Sequence, residues 1–231
     1  MIRQRKIELL APAKNLECGI AAIDHGADAV YIGAPRFGAR AAAGNSLEDI
    51  AELVKYANSK NVDVFLWYSS SGYWNDIEQG PINRMDNSII RKREMRWLES
   101  IGVKGIKVDF FGGDKQITMQ HYEEILSDAD DHGLMVIFHG CTLPRGWERM
   151  YPNYVGSEAV LASENLIFGQ HACNMEAFNA TLHPFIRNTV GCMEFGGSFL
   201  NRRLNKGNDG GTRRRTTDVF ELATAVLFQN P

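Results

Sequence analysis

The sequence predicts an α/β protein, a single-domain (β/α)8 TIM barrel spanning residues 1–231. Three observations lead to it. Short apolar runs of strand length alternate with segments of helical period along the whole chain. Eight such runs can be counted, and strands joined through helices run parallel, because parallel pairing needs a crossover. The 231 residues are close to the ~250 typical of such a barrel. An open doubly wound sheet is the alternative. No GxGxxG follows the first strand, so its dinucleotide-binding form has no support.

The elements follow in order. "IELLAPA" is the first strand, and "NLECGIAAIDHG" is a helix that stops at Gly26. "ADAVYIG" is the second strand. "SLEDIAELVKYANSKN" is a helix with Ser46 as cap, Asp49 three residues on, and Leu47, Ile50, Leu53 and Val54 on its apolar side. "VDVFLWYSS" is the third strand. "NSIIRKREMRWLESIG" is a helix expected to bury Ile90, Met95, Trp97, Leu98 and Ile101. "VKGIKVDFF" and "LMVIFHGC" are strands four and five, separated by the helix "ITMQHYEEILSDADDHG". "YPNYVGSEAV", "RNTVGCMEFGG" and "ATAVLFQNP" supply strands six to eight, with helical pieces "NMEAFNATLHPF" and "TTDVFELATA" among them.

Composition narrows the class. The apolar fraction is 44%, the charged fraction 23% and the formal net charge -3, all ordinary for a water-soluble domain. No apolar run approaches the ~20 residues that span a bilayer, so no membrane partner is expected. The basic start "MIRQRK" precedes an apolar stretch too short for a signal peptide, and the chain is read as cytoplasmic. Cys18, Cys141, Cys173 and Cys192 have no metal-binding spacing and are expected to be isolated buried thiols. "TRRRT" is a short basic run of the kind found on solvated loops, and nucleic acid is not expected as a partner.

The chemistry of such a barrel sits at the C-terminal ends of its strands. The polar residues there are Trp67, Tyr68 and Ser69, with Trp74, Asn75 and Asp76 just beyond; Lys107 and Asp109; His139; Glu158 and Glu164; and Arg187, Asn188 and Glu194. Paired carboxylates among aromatic rings suit sugar hydrolysis, since one attacks or activates water, the other protonates the leaving oxygen, and rings pack on sugar faces. Lys107 stands two residues before Asp109, so both side chains leave the same side of the strand. A cation there lowers the carboxyl pKa, as a nucleophile requires. Each residue also has a plainer reading. Asp109 can cap a turn or pair with Lys107, Glu158 and Glu164 can be solvated, His139 can be a bonded core histidine, and Trp67 can be packing. Glu194 reads as a buried polar group beside the site.

Two stretches of the chain resemble known families. "LWYSSSGYWND", "GIKVDFFGGDKQ", "FHGCTLPRGWERMYPNYVGSEAVLASEN", "FIRNTVGCMEFGGSFLN" and "TAVLFQNP" resemble the catalytic barrel of glycoside hydrolase family 97. "ELLAPAKNLECGIAAIDHGADAVYIGAPRFGARAAAGN" resembles the start of the collagenase-like peptidase family, which includes tRNA-hydroxylation proteins. Together they imply a chimera, with two βα units in residues 1–55 from one parent barrel and six strands in residues 56–231 from a glycosidase parent. The seam would fall near "LVKYANSKN", and an artificial assembly is the expected origin.

The family 97 resemblance implies a retaining, α-galactosidase-like enzyme. It makes Asp109 the nucleophile and Glu164 the acid/base, with Glu158 and Glu164 as calcium ligands. Trp67, Lys107, His139, Arg187 and Glu194 line a small carbohydrate substrate. Inverting members carry a glutamate after the histidine of the fifth strand, where this chain has Gly140. The retaining pair is expected about 5 Å apart. The family's companion β domains are not found in this sequence, so a folded barrel without significant activity is the alternative. A natural glycosidase parent would be periplasmic, and a homodimer through an exposed edge is a further expectation.

Overall fold

The structure is a computed structural model and describes residues 9–33, 45–70 and 84–228. Trp74, Asn75 and Asp76 lie outside the described residues. The chain divides into two compact units, Met1–Thr142 with Trp147–Val155, and Leu143–Gly146 with Gly156–Pro231.

The first unit alternates strands and helices. β1 (Leu10–Ala13), β2 (Ala29–Ile32), β3 (Asp63–Ser69), β4 (Gly105–Asp109) and β5 (Met135–Phe138) alternate with α1 (Leu16–Asp24), α2 (Leu47–Ser59), α3 (Ser88–Ser100) and α4 (Gln116–Asp130). A short α5 (Trp147–Met150) precedes β6 (Tyr154–Ser157). The sheet has six strands in the order β1-β2-β3-β4-β5-β6, and the first five pair parallel. Six expected strands are therefore present, each trimmed at its ends.

Strand register divides the sheet residues into two sets. Ile32, Leu66, Ile106 and Val136 stand opposite one another, as do Tyr68, Val108 and Phe138. These residues join Ile50, Leu53, Val54, Met95, Leu98, Ile125 and Leu126 from the helices in one buried cluster. Each large aliphatic side chain buried there contributes about 1.5–3 kcal/mol. The alternate set is Phe65 and Gly105, Trp67, Lys107 and Ile137, then Ser69 and Asp109. That face carries Phe65 and Trp67 and the charged Lys107 and Asp109, and the period-two alternation of a strand separates it from the core.

Local signals set the helices. Ser46 accepts from the Asp49 N–H while the Asp49 carboxylate accepts from the Ser46 N–H, the reciprocal cap read from the sequence. α3 differs from expectation. Met95 and Leu98 are buried, Ile90, Trp97 and Ile101 are only half-buried, and Arg91 is 1% exposed. Asp128 of α4 explains the inward arginine, because its carboxylate accepts from Arg91 Nε at 2.7 Å.

The second unit holds a 3-10 turn at Ser163–Ile167, α6 (Gln170–Ile186) and α7 (Asp218–Leu227). Two expected strands are corrected here. The seventh is reduced to a single parallel bridge between Met193 and Ser157. Gly191 and Gly196, at φ 147° and 95°, break the extended run on both sides. The described part of the eighth is helical through Leu227. Thr217 caps α7 by accepting from the Phe220 N–H, and the apolar run continues that helix to Leu227. An eight-stranded barrel is therefore not what the described residues form. Of the cysteines, Cys173 alone is buried and Cys18 is exposed, which corrects the expectation of buried thiols.

Candidate active site

Asp109 ends β4 and is 5% exposed. Three groups meet its carboxylate. The indole N–H of Trp67 donates to Oδ2 at 3.1 Å. The backbone N–H of Phe110 donates to Oδ1 at 2.7 Å. His139 Nδ1 lies 3.4 Å from Oδ1. Burial on its own pushes this carboxyl up. The His139 hydrogen bond and charge, the Trp67 hydrogen bond and the Lys107 charge together outweigh burial and hold the group below the ordinary aspartate range. Asp109 is thus an ionised, desolvated carboxylate at neutral pH.

Lys107 points to the same face, as expected, and is 3% exposed. Its ammonium lies 4.3 Å from the centre of the Tyr31 ring, over the face of that ring. The larger cationic influence on Asp109 comes from His139, with Lys107 the lesser one. Trp67 packs edge-on against Phe110 with ring centres 5.7 Å apart. The Phe65 ring lies flat enough on β4 that a β-carbon at Gly105 would come within 2.2 Å of it. The face around Asp109 is therefore built from rings, with the charges set between them.

The turn after Asp109 is strained and braced. Phe110 has φ 67°, a left-handed conformation costly for a bulky residue. Ser70, just past β3, holds it, because its N–H donates to Asp109 O and its hydroxyl to Phe110 O, both at 2.7 Å. Phe111 N–H donates to Gly140 O at 2.9 Å. His121 adds a ring-nitrogen contact to Ser70 O at 3.1 Å. Sequence reasoning missed Ser70, Phe110 and Tyr31 as parts of this centre. Ser70 and Tyr31 had a usable signal, since Ser70 follows β3, which pairs with β4, and Tyr31 lies near the end of β2, one strand further on.

In the second unit Glu158 is buried and Glu164 half-buried, the latter in the first turn of the 3-10 segment. Arg187 is 2% exposed. Its guanidinium donates to Ser157 O, Glu158 O, Gly191 O and Cys192 O at 2.8–3.1 Å. Those bonds tie the backbone on both sides of Glu158 to the backbone before Glu194. Glu194 N–H also donates to Ser157 O at 3.0 Å. Arg187 is therefore the strut of this segment. Glu158 and Glu164 offer carboxylate oxygens, the donor type that calcium takes, so their chemistry fits that ion.

A parallel sheet thus presents a desolvated, ionised carboxylate at a strand end with aromatic rings around it. The profile of glycoside hydrolase 97 matches residues 22–160. The chain belongs to glycoside hydrolase family 97. A probable retaining α-galactosidase of Streptomyces bingchenggensis is 32% identical over 186 residues, 78% of this chain and 24% of that protein. The crystal structure of a β-arabinopyranosidase is similar over 100% of this chain and 38% of that one, at 63% identity and a TM-score of 0.85. A 23S rRNA 5-hydroxycytidine synthase of Escherichia coli is 44% identical over 77 residues, 33% of this chain and 12% of that protein. The chain spans about a quarter of the length of the α-galactosidase it matches.

Proposed function

We propose that this chain carries the retaining centre of an α-glycosidase, with Asp109 as nucleophile. The observation that carries the proposal is the state of Asp109. It is buried and ionised, and Trp67 on β3, the Phe110 N–H in the next turn and His139 just past β5 meet its carboxylate. Its carboxylate attacks the anomeric carbon as the glycosidic C–O bond breaks, leaving a sugar ester on Oδ. Glu164 is the proposed acid/base on the strength of the resemblance. It protonates the departing oxygen, then takes a proton from the water that cleaves the ester. Lys107 and His139 hold Asp109 ionised, and Trp67 gives it orientation and a ring for the sugar. Arg187 and Glu194 belong to the proposed substrate wall, Arg187 through the backbone it fixes.

The proposed substrates are α-galactosides. The β-arabinopyranosidase likeness fits the same pocket, because a β-L-arabinopyranoside has the ring arrangement of an α-D-galactoside without its hydroxymethyl group. Calcium is part of the proposal, held by Glu158 and Glu164, where its charge would steady the acid/base carboxylate. A dimer of this chain also remains a proposal, and sedimentation velocity checks it.

A second reading has its own observation. The match to the rRNA synthase covers a different family from the one that matches most of the chain. It is in keeping with a chimeric assembly of residues 1–55 and 56–231, and the second reading is that such a chain folds without significant catalytic activity. Hydrolysis of aryl α-galactoside and aryl β-L-arabinopyranoside, with calcium and with a chelator, separates the two. The first reading expects turnover that Asp109→Ala abolishes and azide restores as a glycosyl azide. No turnover from folded protein, or turnover that survives Asp109→Ala, sinks it.

A further inference from the structure

The second unit buries two carboxyl groups that the proposed chemistry does not use. Glu176 of α6 is 5% exposed and Glu221 of α7 is 1% exposed. Both reach the same hydroxyl. Thr216 Oγ lies 3.1 Å from Glu176 Oε2 and also contacts Glu221 Oε1. A hydroxyl has one hydrogen, so it donates to only one carboxylate. The other contact is favourable only if that carboxyl carries a proton and donates it to the Thr216 oxygen. The second oxygen of Glu176 is shut away from solvent with no donor among the described residues. An ionised carboxylate left so would be costly, and a protonated one is not.

The surrounding charges do not replace that proton. Arg214 is buried nearby, but its hydrogen bonds go to Leu200 O, Asn201 O, Thr216 O and the Asp218 carboxylate. Arg215 donates to Asn174 Oδ1 on α6. On α6 itself, Cys173 donates to Leu166 O, and His183 is a buried imidazole whose pKa burial lowers, so it is neutral.

We propose that Glu176 and Glu221 form a binding site for one shared proton, and that this proton latches α7 onto α6. With the proton in place the pair is a carboxyl–hydroxyl–carboxylate chain that joins the two helices through Thr216, in the bend just before α7. Without it, two carboxylates and one hydroxyl leave a repelling contact in a site closed to water. The other ties are Phe228, just after α7, which packs on Phe195 and His183 with ring centres 4.6 and 5.7 Å away, Phe220 against the same cluster, the Ser198 hydroxyl donating to Glu221 O at 3.0 Å, and Arg214 paired with Asp218. Loss of the proton therefore loosens α7. Burial and the Glu221 charge raise the Glu176 carboxyl to about 7, which puts the change near neutral pH.

Hydrogen exchange of the α7 amides tests the latch in the whole chain. After correction for intrinsic exchange, protection is expected to fall about tenfold or more between about pH 5.5 and about pH 8.5. Glu176→Gln keeps an amide donor for Thr216 without a titrating charge, so protection should become flat with pH. Carboxyl-carbon NMR of the unmodified chain gives an independent readout: one glutamate of the pair titrates near neutrality, and Glu221→Gln moves the Glu176 titration down, part of the way to an ordinary value, because burial remains. Two glutamates that both titrate in the ordinary carboxylate range, or α7 protection independent of pH in the unmodified chain, overturn the proposal. Neither measurement depends on glycosidase turnover.

Discussion

Gly140 stands with its α-carbon against the Asp109 carboxylate. A β-carbon there would lie 2.6 Å from Oδ1 and 3.0 Å from the Phe110 nitrogen. Gly140 also has φ 48°, in the left-handed region. The second contact is to backbone, so no side-chain rotation relieves it. Asp109 as placed and any side chain at position 140 exclude each other. Where the family resemblance implies a catalytic glutamate at this position in inverting relatives, this chain has space for one carboxylate, and it comes from β4.

Gly140→Ala should therefore lower stability by about 1–3 kcal/mol through contact and conformational strain together. Denaturant unfolding with an unchanged slope and a lower midpoint is the expected result. A midpoint equal to that of the parent chain would show that Asp109 and Phe110 move aside freely.

Trp67→Phe keeps a ring beside Phe110 and removes the donor to Oδ2, now 3.1 Å away. The buried carboxylate then keeps fewer donors, which costs about 1–3 kcal/mol. Its pKa should rise, because the Trp67 bond is one of the influences holding it down. Carboxyl-carbon titration of Asp109 measures this. If the proposed chemistry holds, the acid limb of the activity profile moves up with it. An unmoved Asp109 titration would mean that the indole bond is not made in solution.

The extent to which this was legible follows from the kind of signal each residue carries. β1 to β6 were readable because apolar runs of strand length alternate with amphipathic helices. Lys107 and Asp109 were readable as neighbours because strand side chains alternate. The last two strands were not, because an apolar run does not reveal its period when it is short. "ATAVLF" continues a helix whose start, Thr217 to Glu221, already carried the cap and the acidic first turn. Arg91 escaped because its partner is 37 residues away on another helix. The strain at Phe110, the Ser70 brace and the Glu176–Glu221 contact depend on backbone angles and long-range approach, which one-dimensional spacing does not encode.

The pH dependence of stability has a definite sign at Asp109. Its folded-state pKa lies below the unfolded value of about 3.9. The folded chain thus binds fewer protons there than the unfolded one, and stability rises with pH through that window. The contribution is complete above the unfolded pKa and is lost as pH falls through the folded one. The parent chain should lose stability more steeply than Asp109→Asn on acidification below about pH 4. Parallel curves for the two would show that Asp109 is not held ionised by its neighbours.

Arg91 offers the sharpest test of the helix layer. Besides its bond to Asp128, its Nη1 donates to Met85 O at 2.5 Å and its Nη2 to Glu124 at 3.2 Å. Asp128 is 7% exposed, and its other oxygen meets the half-exposed Lys92 at 3.2 Å. Removing the guanidinium leaves a buried carboxylate with one flexible cation, so Arg91→Met should cost about 3–5 kcal/mol. Arg91→Lys should recover little, because an ammonium cannot reach Asp128 and the Met85 carbonyl in the fork geometry. Asp128→Leu alone strands the arginine and should be comparably damaging. The double substitution removes both charges and fills the space with apolar groups, so its cost should fall well below the sum of the two. Additive costs would mean that the two side chains are not paired, and the inward turn of Arg91 would need another cause.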